Sequence, residues 1–402
     1  MATKRFVRSV AANLTFWRDK IAESEDPTVH ELIPETQNIY RAIEFGLALD
    51  ETWCQAAELI AGLEPFIEPS GAWRSWQGLI QESIRRCAGR DPFLTLRLLD
   101  LSGQCYRKSR EWDAARAAYL DEERMALKLG AADYVARAHH GLGTLYWRMR
   151  DYDTAMHYSL LALAEFQATR AGERLMGGVQ ANIGLIEYGR GQFPAAIEAF
   201  HCAVGHFRRT NNSILLARSL VNLALAQEGA GKIERAAESY LEARSILEQT
   251  GFEIDKARLE LSLGALYFHL NRFDEAEQSF LCAYSPYLKR SGQSYLLGLA
   301  ANNLGAVYIE KEEFARAEVM LERSLSHWVA ARAELQLANT TGNLGKVRAA
   351  QGRTAEALEK FDSAISTAEA FADDAYARFI RKEFQEEKER LLQRITREGQ
   401  KM

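Results

Sequence analysis

The chain has 402 residues, 47% of them hydrophobic and 26% charged, with a formal net charge of −5 and a pI near 6.0. That composition belongs to a folded protein rather than a disordered one, and it argues against a general affinity for nucleic acid or anionic membrane, which needs a surplus of Lys and Arg. Five scattered cysteines (Cys54, Cys87, Cys105, Cys202, Cys282) with no CxxC pair speak against a disulfide framework or a zinc site and fit a reducing compartment.

In chain order, the N-terminal stretch MATKRFVRSVAANLTFW lacks the continuous apolar core of a signal peptide. No window anywhere approaches the length and apolarity of a membrane span. A soluble, cytoplasmic protein without membrane contact is therefore expected. Residues 1–90 read as helical but without a repeat, and Trp73 and Trp76 are expected to pack between helices unless exposed as a docking edge. Residues 91–370 are different. The segments LSGQCY, GLGTLY, NIGLIE, NLALAQ, SLGALY, NLGAVY and NLGKVR place Gly103, Gly143, Gly184, Ala224, Gly264, Gly305 and Gly345 at a spacing of 40 or 41. Self-similarity at that period marks a stacked repeat.

Further columns fall into register. Twelve residues after the small position stand Ala115, Ala155, Ala196, Ala236, Ala276, Ala317 and Ala357. Nine after stand Trp112, Tyr152, Phe193, Ile233, Phe273, Phe314 and Thr354, and sixteen after stand Tyr119, Ser159, Phe200, Tyr240, Phe280, Leu321 and Phe361. Small residues let two helices of a hairpin approach closely, and the large ones are expected to fill the space between successive hairpins. Turns are expected near Gly191, Gly231, Asn271 and Gly352, where positive φ is needed. Gly130, Gly172, Asn212, Gly251 and Gly292 are expected as C-terminal caps of the second helices. Residues 371–402 form a charged amphipathic helix with Tyr376, Phe379, Ile380, Phe384, Leu391 and Ile395 as its apolar stripe, expected to cap the array. A coiled-coil or partner-binding tail is the other reading.

The small residue, the tyrosine three later, the G-x-[FY]-x-x-A block, the aromatic and the second alanine resemble the tetratricopeptide repeat over residues 95–370. The repeat-end proline is missing, and the period is about six residues longer than the common 34. The resemblance implies an all-α, right-handed solenoid of about seven helix hairpins. The long period resembles that of the kinesin light chain and of Rap-type bacterial peptide receptors, which bind peptides or proteins in their grooves. The N-terminal region resembles the helical segment preceding such arrays in bacterial STAND regulators (signal-transduction ATPases with numerous domains), through Glu35, Asn38, Ala42 and Phe45, then Ala56, Ala57, Leu63, Phe66 and Gly71. No GxxxxGK[ST] loop accompanies it.

Nothing in the residues supports catalysis. His139-His140 and Gly141-x-Gly143 lack a preceding strand, and Glu122-Glu123 and Glu386-Glu387 read as solvated faces. No metal or cofactor is expected. The resemblance places the first helix of each repeat on the concave wall. Two residues before the small position stand Asn182, Asn222, Asn303 and Asn343. A carboxamide donates and accepts at once and so can read a peptide unit; equally, it can bond a neighbouring helix. Arg137, Arg218 and Arg258 lie six before the small position, and Lys346 follows Gly345. Such a row would suit an extended, acidic peptide or protein segment, with Trp147, Tyr188 and Phe268 either as apolar anchors or packed between repeats. The leading expectation is a non-enzymatic adaptor or regulatory module. The alternatives are the sensor part of a STAND-type regulator and a self-associating scaffold.

Overall fold

The computed structural model describes residues 4–22, 35–63, 67, 73–170, 172–210, 212–250, 252–372 and 374–399, and every regular element among them is helical. The chain divides into two compact units, Met1–Ala236 and Ala237–Met402.

The first unit opens with α1 (Lys4–Ala22), α2 (Thr36–Leu47), α3 (Trp53–Ala61) and α4 (Trp73–Cys87). Val10, Leu14 and Trp17 recur at helical spacing on α1 and bury against Ile39, Ile43, Ile60, Trp76 and Ile80. The same core runs on to Leu94, Leu98 and Leu101, so the bundle seals the open side of the first repeat. Trp76 is fully buried and Trp73 lies under Lys108, 5.3 Å from its ring, which settles both tryptophans as packing. Of the residues behind the STAND resemblance, Ala42, Ala56, Ala57 and Leu63 are core and Phe45 is exposed; Phe66 and Gly71 lie outside the described residues.

Three hairpins follow: α5 (Pro92–Lys108) with α6 (Trp112–Leu129), α7 (Ala132–Arg148) with α8 (Tyr152–Ala168), and α9 (Glu173–Gly189) with α10 (Phe193–Arg209), then α11 (Ser213–Gly229). α12 (Ile233–Glu248) carries the chain into the second unit. That unit contains α13 (Glu253–His269), α14 (Phe273–Ala283), the short α15 (Pro286–Arg290), α16 (Ser294–Glu310) paired with α17 (Phe314–Ala331), and α18 (Glu334–Ala350) paired with α19 (Thr354–Glu369). Helices of 17 residues, as in α7 to α10, joined by three- or four-residue turns, account for the long period. The second helix of the fifth repeat alone is broken, where Ser285 caps and Pro286 starts α15.

The sequence columns have plain structural meanings. The residue nine after the small position begins the second helix in all seven repeats. The seven alanines are completely buried. The residue sixteen after the small position does not fill the space between hairpins alone, as the pattern implied; it sits on the glycine of its own hairpin. A methyl added to Gly184 would stand 2.6 Å from the Phe200 ring, and one added to Gly264 2.6 Å from Phe280. Tyr119 packs on both Gly103 and Gly141, so in the first repeat the ring also reaches the following hairpin. Space between repeats is taken up by the nine-after column: Tyr152 lies under Gly189 and Phe193 under Gly229.

Gly191, Gly231, Asn271 and Gly352 all have positive φ, as the turns demand, and Arg110, Arg150 and Glu312 take the same conformation in the remaining repeats. Gly130 is a left-handed C-cap and Gly292 also has positive φ after α15. Two expected caps are corrected. Gly172 has φ −63° and precedes α9 as its N-cap. Asn212 is the N-cap of α11, its side chain accepting from the Leu215 N–H. An Asn favours the helix start because its short side chain reaches back to the orphan donors there. Gly251 lies outside the described residues.

The last helix, α20 (Ala375–Gly399), packs on α18 and α19. Ala377, Ile380, Phe384 and Leu391 enter the core around Phe361, and Phe384 covers Gly342. The expected stripe is thus only half correct: Tyr376, Phe379 and Ile395 face outward, because the buried seam follows 377, 380, 384 and 391.

The glycine contact generates a signed prediction. Alanine is a better helix former than glycine by about 1 kcal/mol, yet Gly184→Ala would overpack the Phe200 contact at a cost of about 1–3 kcal/mol. Chemical denaturation should therefore show Gly184→Ala to be less stable than wild type; a gain in stability would refute the close-approach role.

Candidate functional site

The asparagine column divides into two kinds. Asn182, on α9, is buried; its Nδ2 donates to Ser159 Oγ at 2.9 Å, and Ser159 in turn donates to the Ala155 carbonyl at 2.8 Å. Ser159 occupies the sixteen-after position that is large in the other repeats, so the carboxamide fills space left by the missing ring. Asn343, on α18, is buried too and donates to Asn302 Oδ1 at 3.3 Å. Asn302 also accepts from Thr340 Oγ1, which accepts from Trp328 Nε1, closing a buried polar network within the second unit. Asn222 on α11 and Asn303 on α16 behave otherwise. Both are half-buried, and neither side chain has a hydrogen-bond partner among the described residues.

The cations also divide. Arg137 is half-buried with its guanidinium over the Tyr134 ring at 5.7 Å. Arg218 is half-buried and Arg258 exposed. Lys346 is committed within the protein: its Nζ lies 2.5 Å from Glu383 Oε1 on α20 and 5.4 Å from the Phe384 ring. The structure thus places Arg137, Asn182, Arg218 and Asn222 in the first unit and Arg258, Asn303, Asn343 and Lys346 in the second, with Asn182, Asn343 and Lys346 engaged inside the fold. Among the expected anchors, Trp147 donates from Nε1 to the Leu185 carbonyl at 3.1 Å, Phe268 packs edge-on to Phe273, and Tyr188 is exposed.

The paired histidines are not catalytic in form. His139 is buried, with Nδ1 2.8 Å from Glu165 Oε2 and Nε2 3.2 Å from Glu123 Oε1, so both ring nitrogens are used. His140 has its pKa pushed down to about 4 by burial, then by the Arg107 and Arg137 charges, so it is neutral at pH 7.

Glu122 overturns its reading as a solvated residue: it is fully buried and neither carboxyl oxygen has a partner. Burial pushes its pKa well above the ordinary carboxylate value; the Asp100 charge adds to this and Arg137 opposes it. The sequence does hold a signal. Nineteen residues after the small position the other repeats carry Ala162, Ala203, Ala243, Ala283, Ser324 and Ala364, all buried, and only the first repeat carries a carboxyl.

A second device went unread. Six residues after the small position, Arg190 reaches back to Asp153 and the Tyr152 carbonyl, Lys311 to Asp274 and Glu277, and Gln351 to Glu318. Each ties the end of a first helix to the preceding second helix. Among the described residues no group of three His, Cys, Asp or Glu side chains is placed to hold a metal ion, and no helix is long and apolar enough to cross a membrane.

Comparison with known proteins agrees with this architecture. A tetratricopeptide repeat family model matches residues 175–249 and 296–370, and a second matches residues 136–165. The chain carries tetratricopeptide repeats. It is similar to the kinesin light chain-related protein 2 of Arabidopsis thaliana, with 24% identity over 142 residues, or 34% of this chain. That match spans only 21% of the relative's length. In fold it is similar to the apo quorum sensor NprR of B. thuringiensis, with a TM-score of 0.59 and 16% identity over 90% of this chain and 99% of that one. Aspartyl phosphate phosphatase F of Bacillus subtilis gives a TM-score of 0.54 and 14% identity, covering 91% and 95%. A Rap protein solved with competence and sporulation factor gives 0.52 and 14%, covering 88% and 99%.

Two outcomes test the geometry. Asn182→Ala and Asn343→Ala should each lower the melting temperature by several degrees through a lost buried hydrogen bond of about 1–3 kcal/mol, whereas Asn222→Ala and Asn303→Ala should melt like wild type. For Glu122 the folded-state pKa lies above the unfolded one, so the fold holds its proton more tightly and stability is lost as pH rises from about 4.5 through the raised value. Glu122→Ala, which restores the residue type of the other repeats, should melt higher at pH 8 and about the same at pH 4; a lower melting temperature at pH 8 would show that the carboxyl is stabilising.

Proposed function

We propose that this array of tetratricopeptide repeats is a binding module for an extended peptide or protein segment, without catalysis of its own. The observation that carries the reading is the split in the asparagine column. Two carboxamides are spent on packing, while Asn222 and Asn303 keep donor and acceptor unused on half-buried first-helix positions. A solvated backbone segment meeting such amides exchanges water for protein hydrogen bonds, worth about 1 kcal/mol each. Arg137, Arg218 and Arg258 favour acidic groups on that segment, since contacts between unlike charges are stronger and speed encounter.

The fold likeness is in keeping with this use, since NprR is described as a quorum sensor and the Rap protein was solved with competence and sporulation factor. The same architecture also hosts an aspartyl phosphate phosphatase. Absence of catalysis here is therefore proposed from this chain's own residues: both nitrogens of His139 are occupied by carboxylates and His140 stays neutral. The chain is proposed to work in the cytoplasm.

A peptide library displayed on phage and selected on the immobilised full chain tests the reading. Selected peptides should be enriched in Asp and Glu, and Asn222→Ala and Asn303→Ala should each weaken them about 5-fold without altering melting. Arg218→Glu and Arg258→Glu should slow association and reduce its dependence on salt. Selection of no sequence preference, or unchanged affinity in all four variants, would sink the proposal. Saturable turnover of ATP or of an acyl phosphate at one site per chain would sink its non-catalytic part.

A further inference from the structure

We propose that the recess between α1 and α2 in the N-terminal bundle is a second binding site, for a carboxylate carried on a small apolar body. The recess has a volume of about 400 Å³ and is lined by Asn13, Trp17, Asn38, Arg41, Ala42 and Phe45. That volume lies within the range of small-molecule sites.

Trp17 is 5% exposed, and its indole Nε1–H is buried with no acceptor. A buried donor is almost always paired in a native fold, and an indole nitrogen only donates. Arg41 lines the same recess and forms no ion pair or hydrogen bond among the described residues, and Asn13 likewise has no side-chain partner. A guanidinium offers a planar fork of donors that matches a carboxylate in a bidentate way. Asn38 Nδ2 donates to Glu35 Oε2 at 2.7 Å, which holds that amide in place.

The charge of α1 favours an anion. α1 carries Lys4, Arg5, Arg8, Arg18 and Lys20 against the single acid Asp19, which pairs with Arg18. Lys20 stands 5.5 Å from the Trp17 ring centroid. The walls supply the apolar half of the recognition. Phe45 is half exposed and meets Phe6 edge-on at 6.2 Å, and Ala42 continues the surface down to Trp17. A ligand with a flat apolar body against Phe45 and a carboxylate on Arg41 would use both halves of the recess, beside the Trp17 ring.

The carboxylate could be free or carried by a partner's acidic side chain, and one experiment separates the two. The indole N–H signals of the full chain are followed by two-dimensional nitrogen–proton NMR, with the Trp17 signal assigned by its loss in Trp17→Phe. Three probes are added in turn: 2-naphthoate, 2-naphthamide, and an acetylated peptide alternating Glu and Phe. A shift of the Trp17 signal with 2-naphthoate, absent with 2-naphthamide, supports a free acid. A shift with the peptide alone supports a partner's side chain. In either case Arg41→Gln should weaken the response at least tenfold while melting like wild type, and Asn222→Ala should leave it unchanged, which keeps this site separate from the one on the repeats. An unmoved Trp17 signal with both carboxylate probes at millimolar concentration overturns the proposal. So does an equal shift with the amide, or an unchanged response in Arg41→Gln.

Discussion

The close approach of two helices at a glycine is the contact on which the repeat depends. With hydrogen at Gly103, Gly184, Gly264, Gly305 or Gly345, the side chain sixteen residues later can lie directly on the opposing backbone. That contact brings the completely buried alanine twelve residues on into the same seam. Size is traded within a closed space: where one partner is small, the other is large. The second repeat shows the rule by its exception. Ser159 replaces the large residue, and Asn182 from the next hairpin enters to occupy the space and bond the hydroxyl.

From this follows the behaviour of the polar residues. A packed seam admits a polar side chain at least cost when its hydrogen bonds are met inside it. Asn302, Asn343, Thr340 and Ser324 meet that condition through one another or the backbone, whereas Asn182 meets it through its Nδ2 alone. Glu122 does not, and burial pushes its pKa upward instead. Identical residue types in one sequence column therefore have different fates, since the column fixes direction along a helix but not the partner waiting there.

The N-terminal bundle adds a different chemistry. Its core is continuous with the first repeat through Leu94, Leu98 and Leu101, yet its surface is basic and aromatic where the repeats present amides. Phe6, Phe16 and Phe45 all remain exposed on α1 and α2, beside an indole donor with nothing to bond.

The sequence by itself determined the helices, the hairpin register, the turn residues and the buried alanines. Each of these follows from local geometry that recurs every 40 or 41 residues: a helix start, a positive φ, a glycine under a ring. It also placed the C-terminal helix as a cap, though half of its stripe faces outward. Tertiary structure alone decided which asparagines are available, because that depends on whether residue 159 is serine or residue 302 is asparagine, positions remote in sequence from the amide itself. It likewise decided that Lys346 belongs to Glu383, and that Trp17, Asn13 and Arg41 share one recess. Periodicity reports the contacts that every repeat shares; a binding site is made of the contacts that one repeat, or the bundle beside it, does not share.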